Sequence, residues 1–321
     1  MTRGASSGLA GALLIVVSAS CFGTLGPLAR YADLAGVSSL TLVTWRAGVG
    51  AICVFLFLFA RSRAGQRATL PWQSLPARDR RFVVAAAVTN AAVNLAAFIA
   101  FLRIGIALTL LVFYIYPAFV ALASVTWFND RLDRLRLAAL AVSLAGVVLV
   151  VAGAGPLGDL DLLGIGLALG AALAQTFYTM SARHGFGAIP STQAAGLTLG
   201  GATLVYLCLG LIIGQTGAVL QPLASLSALW PVLLAGIIGA GLPTVCFITG
   251  LRLLGASRAA ILSTLEPVVG VGLAALLFSE PPTEVQLLGG LLIIAAGVLL
   301  QLRGRGDLAE HEAVAPLEAM G

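Results

Sequence analysis

The sequence contains no lysine, and all 18 of its basic residues are arginine. The absence of lysine excludes Schiff-base catalysis and the phosphate-binding lysine of a P-loop. Charged residues make up 10% of the 321 positions, against about 25% in an average soluble domain. Hydrophobic residues make up 60%, and the mean hydropathy is +1.04. These values exclude a soluble globular domain and a disordered chain, and they predict an integral membrane protein.

Histidine and cysteine are also scarce. The chain has two histidines, His184 and His311, and four cysteines that lie inside apolar runs without C-x-x-C spacing. We therefore expect no metal site, no disulfide framework and no cofactor. The net charge of +5 does not indicate a nucleic-acid partner, because the arginines lie in short gaps between apolar runs rather than on one basic face.

Apolar runs long enough to cross a bilayer core of about 30 Å recur along the whole chain. They lie near residues 8–29, 38–60, 82–102, 106–127, 136–153, 162–182, 193–214, 228–250, 258–278 and 284–302. The first run follows Arg3 as in a signal peptide, but nine similar runs come after it, so we interpret it as a retained span. The pattern predicts ten transmembrane helices.

Arginine placement predicts the orientation of these helices. If the N-terminus is inside, the loops on that side hold fifteen arginines. The loops on the other side hold two, Arg30 and Arg103, and Arg46 lies within a span. The positive-inside rule therefore predicts that both termini are cytoplasmic.

The two halves of the sequence resemble each other. Gly11–Arg30 reads GALLIVVSASCFGTLGPLAR, and Gly164–Arg183, displaced by 153 positions, reads GIGLALGAALAQTFYTMSAR. Three residues recur with a displacement of 150, namely Gly105, Pro117 and Asp130 as Gly255, Pro267 and Glu280. Because five spans is an odd number, the second half enters the membrane with the opposite orientation. The predicted fold class is thus an all-α integral membrane protein with ten transmembrane helices as two inverted five-helix repeats. The repeats cover 8–153 and 162–302, and a polar cytoplasmic tail covers 303–321.

Among the prolines inside predicted spans we single out four: Pro27, Pro117, Pro243 and Pro267. Each frees the backbone carbonyl four residues earlier and is expected to kink its helix. In lipid, such a carbonyl needs a protein partner or a water-filled cavity. Interrupted helices line the substrate sites of transporters, and a kink satisfied by neighbouring helices is the alternative.

Polar side chains inside the spans are few and are therefore candidates for substrate binding. Arg46 and Glu266 are the two formal charges that lie well inside. The other candidates are Asn90, Asn94, Tyr114, Tyr116, Gln175, Tyr178, Trp45 and Phe98. One cation and one anion suit a zwitterion, whereas a phosphorylated substrate calls for two or more cations.

Each candidate also has a structural interpretation. Arg46 could extend to the outer interface, and Glu266 could bond the backbone groups that Pro267 frees. The asparagines could link neighbouring helices. Tyr114 and Tyr116 are about 200° apart on a regular helix, so we expect one of them to face the site. Tyr116 is preferred because it aligns with Glu266.

The sequence resembles the ten-helix EamA type of the drug/metabolite transporter superfamily over about residues 8–303. The resemblance is carried by LSTLEPVVGVGLAALLFSE (Leu262–Glu280) and by its first-half counterpart LLVFYIYPAFVALASVTWFNDRL (Leu110–Leu132). It implies a secondary transporter of the bacterial inner membrane rather than an enzyme, with a small-molecule substrate and the bilayer as partners. The chain is most similar to exporters of amino acids, including aromatic ones.

Other functions stay open at this point. They are export or facilitated passage of a drug or another metabolite, a channel, and an enzyme that modifies lipids. The oligomeric state is open as well, and a monomer is compatible with the sequence.

Overall fold

The computed structural model describes residues 3–65, 69–128, 133–153, 161–279 and 281–299, and these contain no β-strand. The α-helices are Arg3–Gly23, Leu25–Leu34, Ser39–Arg63, Ala77–Phe113, Tyr116–Phe128, Arg134–Ala152, Leu162–Met180, Ser191–Ile212, Thr216–Leu220, Leu226–Gly236, Leu242–Leu254, Ala256–Ser263, Glu266–Phe278 and Glu284–Leu299. Short 3₁₀ helices cover Trp72–Ser74 and Gln221–Ala224, and π-helical turns cover Ser181–Gly185 and Ile237–Gly241.

Nine stretches of the described chain are long and apolar enough to cross a membrane. Spans 1 to 9 are, in order, Gly8–Leu34, Ser39–Arg63, Ala77–Ala100, Leu108–Phe128, Arg134–Ala152, Leu162–Gly185, Ser191–Ile212, Leu226–Leu254 and Ala256–Phe278. Glu284–Leu299 is a shorter apolar helix at the position of the tenth predicted span. The prediction of an all-helical membrane protein is confirmed. Asp130, Glu280 and the tail 303–321 lie outside the described residues.

A helix is interrupted just before each of the four prolines. The breaks fall at Thr24 in span 1, at Tyr114–Ile115 in span 4, in the π-helical turn of span 8, and at Thr264–Leu265 in span 9. In spans 4 and 9 the helix restarts one residue before the proline, at Tyr116 and at Glu266. The breaks follow from the missing N–H and the bulk of each proline ring, which prevent a regular helical bond to the carbonyl four residues earlier.

The two halves of the chain interlock in one bundle. The most extensive helix contacts pair a first-half helix with a second-half helix: Ala77–Phe113 with span 6, span 1 with span 8, and span 2 with span 7. Spans 1 and 8 run antiparallel, since Gly11 lies against Leu253 while the Ser18 hydroxyl donates to the carbonyl of Pro243 at 2.9 Å. Residues from both halves therefore meet at the centre.

Two glycine contacts occupy equivalent places in the halves. A Cβ atom added to Gly11 would lie 3.1 Å from Leu254 Cγ, and one added to Gly164 would lie 2.5 Å from Ile104 Cγ2. Gly164 follows Gly11 by 153 positions, and Leu254 follows Ile104 by 150, which are the displacements of the sequence repeat. The first span of each half thus packs on the other half through the same position.

Span 5 and the helix Glu284–Leu299 touch through their backbones. A Cβ atom on Gly146 would lie 2.7 Å from the carbonyl oxygen of Gly289, and one on Gly289 would lie 2.6 Å from that of Gly146. Backbone atoms cannot rotate away as side chains can, so the helices would have to separate. In a bilayer such close approach supplies the dispersion energy that holds helices together.

We expect Gly146→Ala and Gly289→Ala to lower the melting temperature of the purified protein. Overpacking of this kind costs about 1–3 kcal/mol. The matched control is Gly272→Ala, because Gly272 lies within span 9 and nothing lies within 4 Å of an added Cβ atom. Its melting temperature should stay the same or rise, since alanine is the better helix former by about 0.5–1 kcal/mol. Equal effects of the three changes would contradict the contact.

Candidate functional site

The guanidinium of Arg46 lies inside the bundle. Arg46 is half-buried on span 2, and its Nε donates to the carbonyl of Gly239 at 3.0 Å while Nη1 donates to Asn94 Oδ1 at 2.5 Å. The ring of Phe22 lies 5.9 Å from the guanidinium carbon. These partners come from spans 8, 3 and 1, so the side chain is held toward the centre rather than extended to the interface.

The acceptor at Gly239 exists because of Pro243. Gly239 lies four residues before this proline and within the π-helical turn Ile237–Gly241, so the regular helical bond to its carbonyl is missing. Arg46 supplies the partner that this carbonyl needs in an apolar surrounding. A hydrogen bond to a charged group contributes about 1.5–3 kcal/mol. The break in span 8 therefore provides the acceptor that holds the Arg46 side chain in place.

Asn94 connects Arg46 to span 7. Its Nδ2 donates to the backbone carbonyl of Asn90 at 2.8 Å, which orients its Oδ1 toward Arg46. The hydroxyl of Tyr206, which is 2% exposed, donates to the carbonyl of Ala91 at 3.2 Å. The Tyr206 side chain also lies within interaction range of Asn94 and Arg46. Asn90 thus contributes its backbone, and its side chain is half-buried.

Tyr206 is absent from the residues that the sequence singled out. The signal available was a polar-tipped aromatic residue in the middle of an otherwise apolar span, a pattern that Tyr206 shares with many packed tyrosines. What makes it part of the site is its place opposite Asn94, and that follows from the packing of span 7 on span 3.

Glu266 lies at the restart of the helix in span 9 and is half-buried. Tyr114 and Tyr116 both lie within interaction range of its carboxylate, and their ring centroids are 6.3 Å apart. The Phe113 ring lies 5.5 Å from Tyr114 and 5.3 Å from Tyr116. An acidic group in span 9 therefore lies beside two tyrosines of span 4, and the Phe113 ring packs on these tyrosines.

The expectation that one of the two tyrosines faces the site is wrong. It assumed a continuous helix with about 100° between successive residues. The helix instead ends at Phe113 and restarts at Tyr116, so Tyr114 belongs to the intervening turn. The break ahead of Pro117 brings both side chains beside Glu266.

Arg46 and Glu266 do not form a direct ion pair. Among the described residues, ion pairs within 4.0 Å join Arg103 to Asp161 and Arg136 to Asp133. The Glu266 carboxylate lies within electrostatic range of the Arg46 guanidinium, and both side chains keep some accessible surface. One cation and one anion, from opposite halves of the chain, thus lie near each other without a direct ion pair.

Tyr178 on span 6 approaches the same centre. Its ring stacks on Phe247 with centroids 6.2 Å apart, and its side chain is 3% exposed. It lies within electrostatic range of Arg46 and within hydrogen-bond reach of the Thr198 side chain on span 7. Gln175, nearly one turn earlier, is half-buried, and no contact connects it to Arg46 or Glu266.

Trp45 and Phe98 lie in a neighbouring apolar layer. Both pack on the cluster that contains Leu28 and Val232. The Trp45 indole donates to the carbonyl of Val219 at 2.7 Å, which ties span 2 to the connection between spans 7 and 8. The structure thus places these two rings around the site rather than beside Glu266.

The described residues contain no group of three histidine, cysteine, aspartate or glutamate side chains that could hold a metal ion. The centre brings a guanidinium, an amide and a carboxylate close to one another, with aromatic rings around them.

The chain is similar to known proteins in sequence and in fold. The sequence model of the EamA-like transporter family matches the chain twice, over residues 9–152 and 162–302. An uncharacterized transporter from Synechocystis sp. is 30% identical over 207 residues, which are 63% of this chain. The chain spans 60% of the length of that relative. A crystal structure with 20% sequence identity superposes with a TM-score of 0.76 over 92% of this chain and 97% of the other, which shows a shared fold.

The two matches of the family model together cover most of the chain. The chain belongs to the EamA-like transporter family.

Proposed function

We propose that this protein is a secondary transporter that moves a small zwitterionic metabolite, an amino acid, across the membrane. The observation that carries the proposal is the unpaired placement of Arg46 and Glu266 at the centre, one from each half. Arg46 binds the carboxylate of the solute and Glu266 binds its ammonium group. Asn94 holds Arg46 in place for this contact.

The aromatic surroundings of Glu266 support an aromatic amino acid. The rings of Phe113, Tyr114 and Tyr116 lie within 5.3–6.3 Å of one another next to the carboxylate. Aromatic rings stack on a ring of the solute, and they also attract its ammonium group through the negative π-face. A phosphorylated solute fits less well, because the centre presents one guanidinium.

The transport mechanism that we propose is alternating access between two inverted five-helix halves. Two features support it: the family model matches each half, and Gly11 and Gly164 make equivalent contacts. Transporters built from inverted repeats expose a site at the repeat interface to each side in turn. A site that takes one charge from each half changes its geometry whenever the halves move.

We further propose that the protein lies in the bacterial inner membrane with both termini in the cytoplasm and that it acts as an exporter. The arginine distribution supports the orientation, and the resemblance to amino-acid exporters supports the direction. The alternative is a neutral drug or metabolite, for which Arg46 and Glu266 would neutralise each other without binding the solute.

Proteoliposomes test the substrate directly. We expect preloaded unlabelled phenylalanine or tryptophan to drive counterflow of labelled phenylalanine, and a sugar phosphate or a neutral apolar drug to compete weakly. Empty liposomes give the background. Competition by the neutral drug with no effect of the amino acids would contradict the zwitterion proposal and favour the alternative.

We expect substitutions of Arg46 and Glu266 to weaken binding through different groups of the solute. Arg46→Leu should weaken binding of phenylalanine about 10- to 150-fold, which corresponds to the loss of about 1.5–3 kcal/mol. The same change should affect phenethylamine, which lacks the carboxylate, much less. Glu266→Gln should abolish most amino-acid transport and should affect 3-phenylpropionate, which lacks the ammonium group, much less.

Matched controls remove the same charges elsewhere. Arg30→Leu changes an arginine that lies over the Phe278 ring at 4.2 Å, and Glu284→Gln changes an exposed carboxylate. Both variants should transport normally. Unchanged transport by Glu266→Gln from pH 5 to 8 would exclude both an ammonium and a proton role for this residue.

Thiol labelling tests the orientation. In a variant without native cysteines, Gln73→Cys lies in the connection between spans 2 and 3, and Ala224→Cys lies in that between spans 7 and 8. Both positions are exposed. An impermeant reagent added to intact cells should label Ala224→Cys, and Gln73→Cys should react after permeabilisation only. The reverse pattern would contradict the cytoplasmic placement of the termini.

A further inference from the structure

Buried hydroxyls continue from the centre toward one end of the bundle. Tyr178 lies within electrostatic range of Arg46 at the centre and also of Arg252 at the end of span 8. Ser181, three residues further along span 6 and on the same face, is 3% exposed. The Tyr178 hydroxyl is within hydrogen-bond reach of the Thr198 side chain, whereas the Ser181 hydroxyl has no hydrogen-bond partner among the described residues. A buried hydroxyl of this kind is costly inside a protein unless water or a ligand meets it.

Arg252 closes the end of this row. Its guanidinium donates to the carbonyls of Ile189 at 2.7 Å, Phe186 at 3.0 Å and Ala182 at 3.3 Å, and to the Ser191 hydroxyl at 3.2 Å. All four acceptors lie in or next to the connection between spans 6 and 7. We call this set of bonds the Arg252 latch. One side chain of span 8 thus fixes the segment that follows Ser181.

Two further contacts hold the same segment. Arg183 Nη1 donates to the backbone carbonyl of Arg252 at 2.5 Å, so each arginine binds the other's element. Asp79, at the start of span 3, accepts from the backbone N–H of Ala188 at 3.1 Å. Together with the latch, these contacts hold spans 3, 6 and 8 together at this end.

The other end of the bundle has a simpler closure. Arg103, beyond the end of span 3, forms an ion pair with Asp161 at the start of span 6, and their side chains are 42% and 31% exposed. The hydrogen bond from Arg103 lowers the pKa of the Asp161 carboxyl below its usual value. Arg103 and Arg252 are related by a displacement of 149 positions, one less than the repeat.

We propose that Tyr178 and Ser181 line one limb of the solute pathway and that the Arg252 latch closes its mouth, while the Arg103–Asp161 pair closes the opposite mouth. The inference rests on the proposed transport function for what passes through. These buried hydroxyls are the polar groups that a hydrated solute meets after it leaves Arg46. Opening this limb requires Arg252 to release its four acceptors.

The test is the reaction rate of a cysteine placed on the limb. Ser181→Cys is introduced into a variant without native cysteines, purified into nanodiscs and treated with methyl methanethiosulfonate. Adding Arg252→Gln should raise the labelling rate about tenfold or more, since it removes charge-assisted bonds that hold the mouth closed. Adding Arg103→Gln, at the opposite mouth, should leave the rate unchanged or lower it.

A second buried cysteine separates opening from general loosening. Ser143 on span 5 is fully buried and donates to the carbonyl of Leu140 at 2.9 Å, away from spans 6 and 8. Ser143→Cys should stay unreactive with Arg252→Gln. If Ser143→Cys and Ser181→Cys gain reactivity equally, or if Ser181→Cys gains none, the latch is refuted. If Arg252→Gln does not purify as a monodisperse protein, Arg252→Lys replaces it, with the same criteria and a smaller expected increase.

The labelling uses no solute, so its result tests the latch independently of the proposed function. If Ser181→Cys gains reactivity selectively but the protein does not transport amino acids, the latch proposal is supported and the substrate assignment is contradicted. If the protein transports amino acids but Ser181→Cys gains no selective reactivity, the substrate assignment is supported and the latch proposal is contradicted.

Discussion

The hydrogen bond from Arg46 to the carbonyl of Gly239 is the interaction on which the centre of this structure depends. A free carbonyl and a buried guanidinium are each unfavourable in an apolar surrounding. Pro243 leaves the Gly239 carbonyl without its regular helical bond, and the position of Arg46 within span 2 places a guanidinium inside the bundle. Paired, they satisfy each other across the two halves of the chain. The pairing leaves Arg46 with further donors, of which Nη1 bonds Asn94 Oδ1.

Glycines make this bond geometrically possible. A Cβ atom on Gly50 would lie 3.0 Å from the backbone nitrogen of Gly241, and one on Gly236 would lie 2.4 Å from Val49 Cβ. Span 2 can therefore approach the π-helical turn of span 8 closely enough for Arg46 to reach Gly239. Glycines thus determine how closely spans 2 and 8 approach each other, and therefore that Arg46 reaches the Gly239 carbonyl.

Hydropathy and the positions of proline and charge were enough to predict the membrane class and the approximate positions of nine spans. The break predicted between residues 102 and 106 is wrong, because Ala77–Phe113 is one continuous helix and the interruption comes at Tyr114–Ile115 instead. The same patterns did not predict which of the candidate residues meet. The π-helical turns shift the helical register, and the turn at Tyr114–Ile115 brings two tyrosines beside Glu266 that a regular helix would separate. Tyr206 becomes part of the site only through the packing of span 7 on span 3. Local pattern specifies the elements, and long-range packing specifies their contacts.

The halves are similar in framework and different at the centre. Tyr116 and Glu266 both begin a restarted helix and both precede a proline, yet one is neutral and the other is acidic. The cation lies in the first half and the anion in the second. In the function that we propose, a dipolar solute binds in one orientation, with its carboxylate on Arg46 and its ammonium group on Glu266. A movement of one half against the other would change the distance between these two residues, and a solute that bridges them would oppose or favour that movement. The difference between Tyr116 and Glu266 is thus the feature by which the proposed mechanism would couple binding to movement.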